Sequence, residues 1–489
     1  MAKFDLLIKN GKLIDAANDR IGLFDVALSG GRVADVAADL NPDHAGEIYD
    51  AAGKLVFPGL VDSHVHLAPA ERSIGFRMLA RTGVTCCLEC GGYIEDVLEG
   101  MERFGSGISV AVLNRLDPGD SISGPDAGKP ELSEYLDRSL ESGAFGFKLL
   151  GGHLPLSPET TACAIELVNR EMGYVAFHCG TTRNGSNLNG LLDALELAGD
   201  NRLHICHITA YCRGLTHGSA VEETMIALAE LAARPHLVSE SHNGPYNGTW
   251  AELENGVPRS HVTRTCLKSG GFDETREGML AAARAGYMRV QNSTDGGVVY
   301  LEPGAGAAHL EKVDFDTMVS FPVNLRSTAF LTATEKDPSG RFIVTALSTD
   351  GGAIPRNFLL SHGLSLVRFD AWSLPDFVLK CCWAPARMLG LPRKGHLAPG
   401  ADGDLVVVDP DSHEALLTIA GGKVIMANGV VLGSEGTVVT TERGVKTLKQ
   451  KGIQTQAADL ANSLFYNAPG EFSPTPLPPA QIPGEMPAG

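Results

Sequence analysis

The stretch Phe57-Pro58-Gly59-Leu60-Val61-Asp62-Ser63-His64-Val65-His66-Leu67 decides how the rest of the chain is read. An apolar run that follows Pro-Gly and closes on two histidines has the grammar of a buried strand with polar groups at its end. Alternate residues of a strand share one face, so the imidazoles of His64 and His66 can point into one cavity and share a metal ion. By itself a His-x-His pair also describes two exposed loop histidines. Downstream, β-type runs recur at Gly83-Val84-Thr85, Ser109-Val110-Ala111-Val112, Ala144-Phe145-Gly146-Phe147, Tyr174-Val175-Ala176-Phe177 and Leu203-His204-Ile205-Cys206. Helical patterns, such as Thr160 to Glu171 and Val221 to Ala233, fall between them. This alternation predicts an α/β protein built on a (β/α)8 TIM barrel, whose catalytic groups sit at the C-terminal ends of the strands.

Upstream of the barrel, Phe4 to about Phe57 reads as short strands punctuated by Asn10-Gly11 and Gly30-Gly31. The same grammar returns in Asp404-Leu405-Val406-Val407-Val408-Asp409, Gly422-Lys423-Val424-Ile425 and Asn428-Gly429-Val430-Val431. Both chain ends are therefore expected to build one small β-sandwich domain. The predicted boundaries are 1–57 and 393–454 for the sandwich, 58–392 for the barrel and 455–489 for a polar, Pro-rich tail. Such a tail cannot bury enough surface to fold alone and is either disordered or laid over a neighbouring subunit. A chain of 489 residues has ample length for a barrel and a satellite domain.

Lys and Arg number 40 against 58 Asp and Glu, a net charge of −18, which argues against a nucleic-acid partner held by phosphate contacts. Pro or Gly interrupts every apolar stretch before the ~20 residues of a membrane span, so no membrane partner is expected. Met1-Ala2-Lys3-Phe4-Asp5 is not a basic-then-apolar leader, and the expected location is the cytoplasm. Ten cysteines, with adjacent pairs Cys86-Cys87 and Cys381-Cys382, fit reduced, buried thiols better than a disulfide framework.

Pro58-Gly59-Leu60-Val61-Asp62-Ser63-His64-Val65-His66 resembles the signature that opens the barrel in dihydroorotases, hydantoinases, allantoinases and related deacylases of the amidohydrolase superfamily, and the resemblance extends along most of the chain. It implies a carboxylated lysine at the end of the fourth strand bridging two divalent metals, zinc being the expected ion. Gly143-Ala144-Phe145-Gly146-Phe147-Lys148 fits that setting. A bare ammonium cannot bridge two cations, whereas a carbamate on Lys148 is a two-oxygen anion. Strand-end histidines at His178 and His207 have the order and spacing of the same families. His204 and His207 differ by an odd number, so on a strand only one can face the mouth. The resemblance selects His207, which Ile208-Thr209 follows, and leaves His204 as a packed core residue.

Ser-Thr-Asp-Gly-Gly occurs at both Ser293 to Gly297 and Ser348 to Gly352. By resemblance a segment ending in Leu-Arg precedes the eighth-strand aspartate, and Pro322-Val323-Asn324-Leu325-Arg326 precedes only Asp350. Asp295 is then a turn residue. Gly83-Val84-Thr85-Cys86-Cys87-Leu88-Glu89-Cys90 resembles the second-strand segment of N-acyl-D-amino-acid deacylases, where a cysteine ligates metal, which makes Cys90 an alternative ligand.

The set implied is thus His64, His66, Lys148, His178, His207 and Asp350. Metal pairs about 3.5–4 Å apart generate hydroxide at neutral pH. Asp350 would take its proton and deliver it to the departing nitrogen. The expected activity is hydrolysis of a C–N amide bond in a small-molecule substrate, a cyclic amide or ureide with an anionic group. The alternative is a linear N-acyl amino acid, and a third class is a non-catalytic dihydropyrimidinase-like scaffold, which would be expected to lose ligands. Arg183 and Arg326 are candidate anion partners. The long segment between about Ser239 and His309, with His242 and Tyr246, suggests a lid or recognition loop. A homo-oligomer, dimer or tetramer, is expected.

Overall fold

Eight parallel strands in sequential order close into a barrel in the computed structural model, which describes residues 3–68 and 73–467. The first seven are Leu60–His66, Val84–Glu89, Ser109–Leu116, Gly146–Leu150, Tyr174–His178, His204–Ile205 and Val238–Ser241. The eighth comes in two pieces: Ala346–Leu347 pairs with the seventh strand, and Gly351–Gly352 pairs with Val65 and His66 of the first. Ser348, Thr349 and Asp350 lie in the break, where Asp350 has φ of 51°, a left-handed conformation that Asp tolerates better than most residues. The strands read as nearly continuous apolar runs because both faces are buried, one by the barrel interior and the other by helices.

Local signals place those helices. Pro158–Arg170 starts behind Ser157, whose side chain accepts from the Thr160 N–H, with Pro158 at the first turn. It buries Thr161, Ala164, Ile165 and Val168, the i, i+3, i+4 stripe that seats a helix on a sheet. Ala220–Ala232 begins with a capping box between Ser219 and Glu222.

Both chain ends meet in the second domain. Leu55–Pro58, just ahead of the barrel, pairs antiparallel with Leu405–Val408, and that sheet continues through Ala415–Ala420, Lys423–Ala427 and Val430–Val431 on one side and Lys12–Asp15 and Arg20–Leu23 on the other. A four-stranded sheet of Arg32–Ala37, Asp25–Ser29, Phe4–Lys9 and Ala45–Asp50 faces it across Leu6, Ile8, Val26, Leu28, Val407 and Ile419.

The segment between the seventh and eighth strands, 242–345, is a folded unit. It contains an antiparallel sheet of Thr249–Trp250, Met318–Ser320, Arg289–Thr294 and Gly297–Tyr300, four helices at His261–Ser269, Arg276–Arg284, Pro303–Lys312 and Arg326–Thr334, and a core that includes Leu267, Met279, Leu310, Phe315 and Phe321.

The C-terminal boundaries differ from the sequence expectation. Thr437–Thr440 leaves the sandwich and pairs with Ser109, Val110 and Ala111, taking the edge of the third barrel strand below the point where the fourth begins. Gln454–Ala457 extends that addition, and Leu460, Leu464 and Phe465 are buried in the barrel core, the Phe465 ring stacked on Tyr174 at 4.1 Å. Sparse apolar residues in a polar context hid this docking. The Pro-rich stretch 468–489 lies outside the described residues. Among the described residues no helix is long and apolar enough to cross a membrane.

Candidate metal centre

At the C-terminal end of the barrel the strand-end side chains converge on a small cleft of about 40 Å³. His64, His66, Lys148, His178, His207 and Asp350 all line it, as do His153, Arg213, His242 and Asn324. His66 Nε2 lies 2.8 Å from Asp350 Oδ1, and His64 Nε2 lies 3.5 Å from the same oxygen. Donor atoms of His64, His66 and Asp350 fall within 4.8 Å of one another. Lys148 Nζ is 3.4 Å from His64 Nε2. The His178 and His207 rings meet edge to face, 4.4 Å between centroids, and His207 stacks on His64 at 5.1 Å.

Close backbone passages make this crowding possible. A Cβ at Gly152 would stand 2.0 Å from His178 Nε2, and one at Gly91 would stand 2.5 Å from His66 Nδ1. Asp62 clamps the two halves of the site. Its Oδ2 accepts from the Thr349 hydroxyl at 2.5 Å and its Oδ1 accepts from the His64 and Thr349 N–H groups at 3.2 Å, which fixes the end of the first strand against the residue before Asp350. Burial pushes the Asp62 carboxyl up to about 7 against those hydrogen bonds.

Two further residues, unrecognised in the sequence, orient these side chains. Glu240, buried at the end of the seventh strand, accepts from His64 Nδ1 at 2.7 Å, from the His207 N–H at 2.6 Å and from the Ser348 hydroxyl. With its proton on Nδ1, His64 presents Nε2 to the cleft, which is how a carboxylate behind a histidine fixes the ligating nitrogen. Arg356, only 1% exposed, donates through Nη2 to Asp350 Oδ2, through Nε to the Asp350 carbonyl at 2.6 Å and through Nη1 to the Tyr246 carbonyl at 2.7 Å. The only sequence trace of Glu240 is a charged residue inside an otherwise strand-like run. Arg356 lies six residues beyond Asp350 in an irregular segment and leaves no periodic signal.

The ionisation states suit a cation. Burial, reinforced by the Lys148 charge, holds His64 neutral, and burial does the same for His178 and His207, leaving the form that ligates metal. His207 Nδ1 is buried without a hydrogen-bond partner. Burial opposes the charge on Asp350, but Arg356, His64 and His66 outweigh it and hold the carboxyl well below the usual carboxylate range. Lys148 is 1% exposed, and no carboxylate of the described residues lies within ion-pair distance of it; its nearest partner is the Cys206 sulfur at 2.7 Å. Burial pushes the Cys206 thiol up to about 12. Three neutral histidines, an ionised carboxylate and an orphaned ring nitrogen around one cleft make a donor set that fits divalent ions.

The remaining candidates are placed as follows. His204 is buried with Tyr174 Oη 3.2 Å from its Nδ1, and does not line the cleft. The parity argument for separating it from His207 does not apply, because the sixth strand ends at Ile205 and His207 sits in a turn with φ of 29°. Asp295 is exposed at the tip of the hairpin joining Arg289–Thr294 to Gly297–Tyr300. Cys90 is buried near enough for the Lys148 charge to bear on its thiol, but it is not among the residues lining the cleft; the sulfur that groups with His64 and Glu240 is that of Cys206. Arg183 is exposed and paired with Asp193 at 3.0 Å, and Arg326 is exposed at the start of Arg326–Thr334; neither lines the cleft. His242 does line it, with Nε2 3.9 Å from Asp350 Oδ2, whereas Tyr246 contributes its carbonyl to Arg356.

The amidohydrolase family model matches residues 55–443. The dihydroorotase of Pelotomaculum thermopropionicum is 25% identical over 484 residues, covering 87% of this chain and 99% of that one. Among solved structures, a D-aminoacylase with a binuclear metal centre superposes with a TM-score of 0.64 at 18% identity, over 89% of this chain and 99% of that chain. The dihydropyrimidinase of Brevibacillus agri gives 0.57 at 18%, over 90% and 99%. With a family match over most of its length, a closed barrel and a divalent-metal donor set at the barrel mouth, the chain belongs to the amidohydrolase family, as a metal-binding hydrolase acting on carbon–nitrogen bonds.

Proposed function

We propose that the chain hydrolyses the C–N amide bond of a small cyclic amide or ureide, of hydantoin, dihydropyrimidine, dihydroorotate or allantoin type, on a binuclear centre held by His64, His66, Lys148 as its carbamate, His178, His207 and Asp350. The observation that carries the reading is the convergence of all six side chains on one cleft, with a buried lysine among them that has no carboxylate of the described residues within ion-pair distance. A neutral amine reacting with carbon dioxide becomes an anion, which a lysine in that position needs in order to face cations. Zinc suits the imidazole-rich set. When bound, two divalent ions supply hydroxide at neutral pH and polarise the scissile carbonyl.

The protein's own groups do the rest. Glu240 keeps the His64 tautomer that points Nε2 into the cleft. Asp350, beside both first-strand histidines, accepts the proton of the attacking water and passes it to the departing ring nitrogen, general base and then general acid. Arg356 keeps that carboxylate ionised and aimed, so it accepts weakly and releases readily. A ring amide is supported by the dihydroorotase relative, similar over nearly its whole length. A linear N-acyl amino acid is the second reading, favoured by the buried thiols of Cys90 and Cys206 beside Lys148. Metal-replete enzyme assayed on hydantoins, dihydropyrimidines, dihydroorotate, allantoin and N-acyl-D- and L-amino acids separates the two. Ring opening is expected, and turnover confined to linear substrates would replace the first reading by the second.

A further inference from the structure

Two arginines stand at the cleft in different states. Three of the five N–H groups of Arg356, one on each nitrogen, donate to Asp350 or to the Tyr246 carbonyl, and its charge is paired with the Asp350 carboxylate. Arg213 lines the same cleft and donates only through Nη2, to Asn324 Oδ1 at 3.1 Å. Its Nε is buried without a partner, and Nη1 donates to no group of the described residues. No carboxylate of the described residues lies within ion-pair distance of this guanidinium, and burial works against its charge. The nearest acids in sequence, Glu222 and Glu223, are committed elsewhere, Glu222 accepting from the Ser219 N–H and Glu223 from the N–H groups of Gly214, Thr216 and His217.

A partly buried cation without a counter-ion among the described residues is costly to hold unless its anion arrives with the ligand. The surroundings hold it in place to wait. The Cys212 carbonyl accepts from the Thr328 hydroxyl at 3.0 Å and the Gly214 N–H donates to Glu223 at 2.6 Å, which pins the backbone on both sides of Arg213. Asn324, from the segment inserted after the seventh strand, is itself fixed by Nδ2 donating to the Gly244 and Tyr246 carbonyls at 3.3 and 3.2 Å. A guanidinium so restrained is pre-organised for a carboxylate, whose geometry matches its planar fork.

We propose that Arg213, held by Asn324, is the residue that selects a carboxylate-bearing substrate, binding that carboxylate while the scissile amide faces Asp350. This deepens the hydrolase reading and rests on it. It transfers to a residue inside the cleft the role that the sequence suggested for Arg183 and Arg326.

The test is a ratio: kcat/KM for dihydroorotate over that for dihydrouracil, the same ring with and without its carboxylate, in wild type, Arg213→Gln, Arg213→Lys and the exposed control Arg183→Gln. Losing a charged hydrogen-bond partner lowers the ratio by about 10- to 100-fold in Arg213→Gln. Arg213→Lys, with its charge but not its fork, falls between, and Arg183→Gln keeps the wild-type ratio. An unchanged ratio in Arg213→Gln overturns the proposal. Should the wild type open neither ring, nor a hydantoin or allantoin, the cyclic-amide reading fails by itself, and the same ratio taken on an N-acyl amino acid and its amide decides the role of Arg213. If neither variant folds, the wild type answers through phenylglyoxal labelling followed by peptide mass spectrometry. Orotate, but not uracil, is expected to protect Arg213, and equal labelling with both overturns the assignment.

Discussion

In the proposed hydrolysis Asp350 is the residue on which the chemistry turns, and its surroundings favour this aspartate over its sequence twin. It sits in the break of the eighth strand, 2.8 Å from His66 Nε2 and held ionised by Arg356, whereas Asp295 lies exposed at a hairpin tip. Asp350→Asn is expected to lower turnover by several powers of ten with the melting temperature little changed, because one substitution removes both the base and the acid. Asp295→Asn should leave turnover within about twofold, since exposed substitutions away from a site have small effects. The opposite ranking in steady-state kinetics would overturn the assignment. His64 and His66 were singled out by strand periodicity, and Lys148, His178, His207 and Asp350 through the family resemblance; all six line the cleft. Glu240, Arg356 and Arg213 were not singled out, because each acts through contacts between segments far apart in sequence or through an irregular turn, and neither leaves a periodic trace. The parity rule failed at His207 for a related reason: the backbone had already left the strand.

Among the elements, the barrel strands and the strands of both chain ends were readable, because alternation and Asn-Gly or Gly-Gly turns are local signals. The segment 242–345 was readable only as too long for a simple loop; its sheet and its core around Phe315 and Phe321 arise from pairings between distant residues, such as Thr249 with Val319. The C-terminal segment misled most. Phe465 is fully buried and stacked on Tyr174 at the base of the barrel, although Leu464-Phe465-Tyr466 is only a short apolar run between Asn462-Ser463 and Asn467. Phe465→Ala should therefore destabilise the chain by about 3–5 kcal/mol, the cost of emptying a large aromatic from a close-packed interior. Phe369, 78% exposed, provides the contrast, and Phe369→Ala should change stability by no more than about 0.5 kcal/mol. Urea titrations of the two variants measure the difference, and equal effects would mean that the C-terminal segment does not dock as described.

For the whole molecule, stability and metal loading are separable, because the groups that govern them lie apart. Lys380, 1% exposed, donates to the Val344 carbonyl and lies 4.7 Å from the Phe342 ring centroid, and burial brings its pKa down from 10.5 to about 7. Between those values the unfolded chain binds the extra proton, so stability should rise with pH across the window, by roughly 2 kcal/mol from pH 7 to 9. Lys380→Met should lose that rise in urea titrations at the two pH values, and a rise of the same size in the variant would remove Lys380 as its source. In the proposed centre metal loading depends instead on Lys148, and the most direct test of that binuclear carbamate centre is to count divalent ions per chain after purification with zinc and ¹³C-bicarbonate while recording the ¹³C spectrum. Two ions per chain and a carbamate resonance that disappears in Lys148→Ala together with most of the metal are expected; two ions bound with no carbamate signal, or full loading in Lys148→Ala, would contradict the bridging role of Lys148.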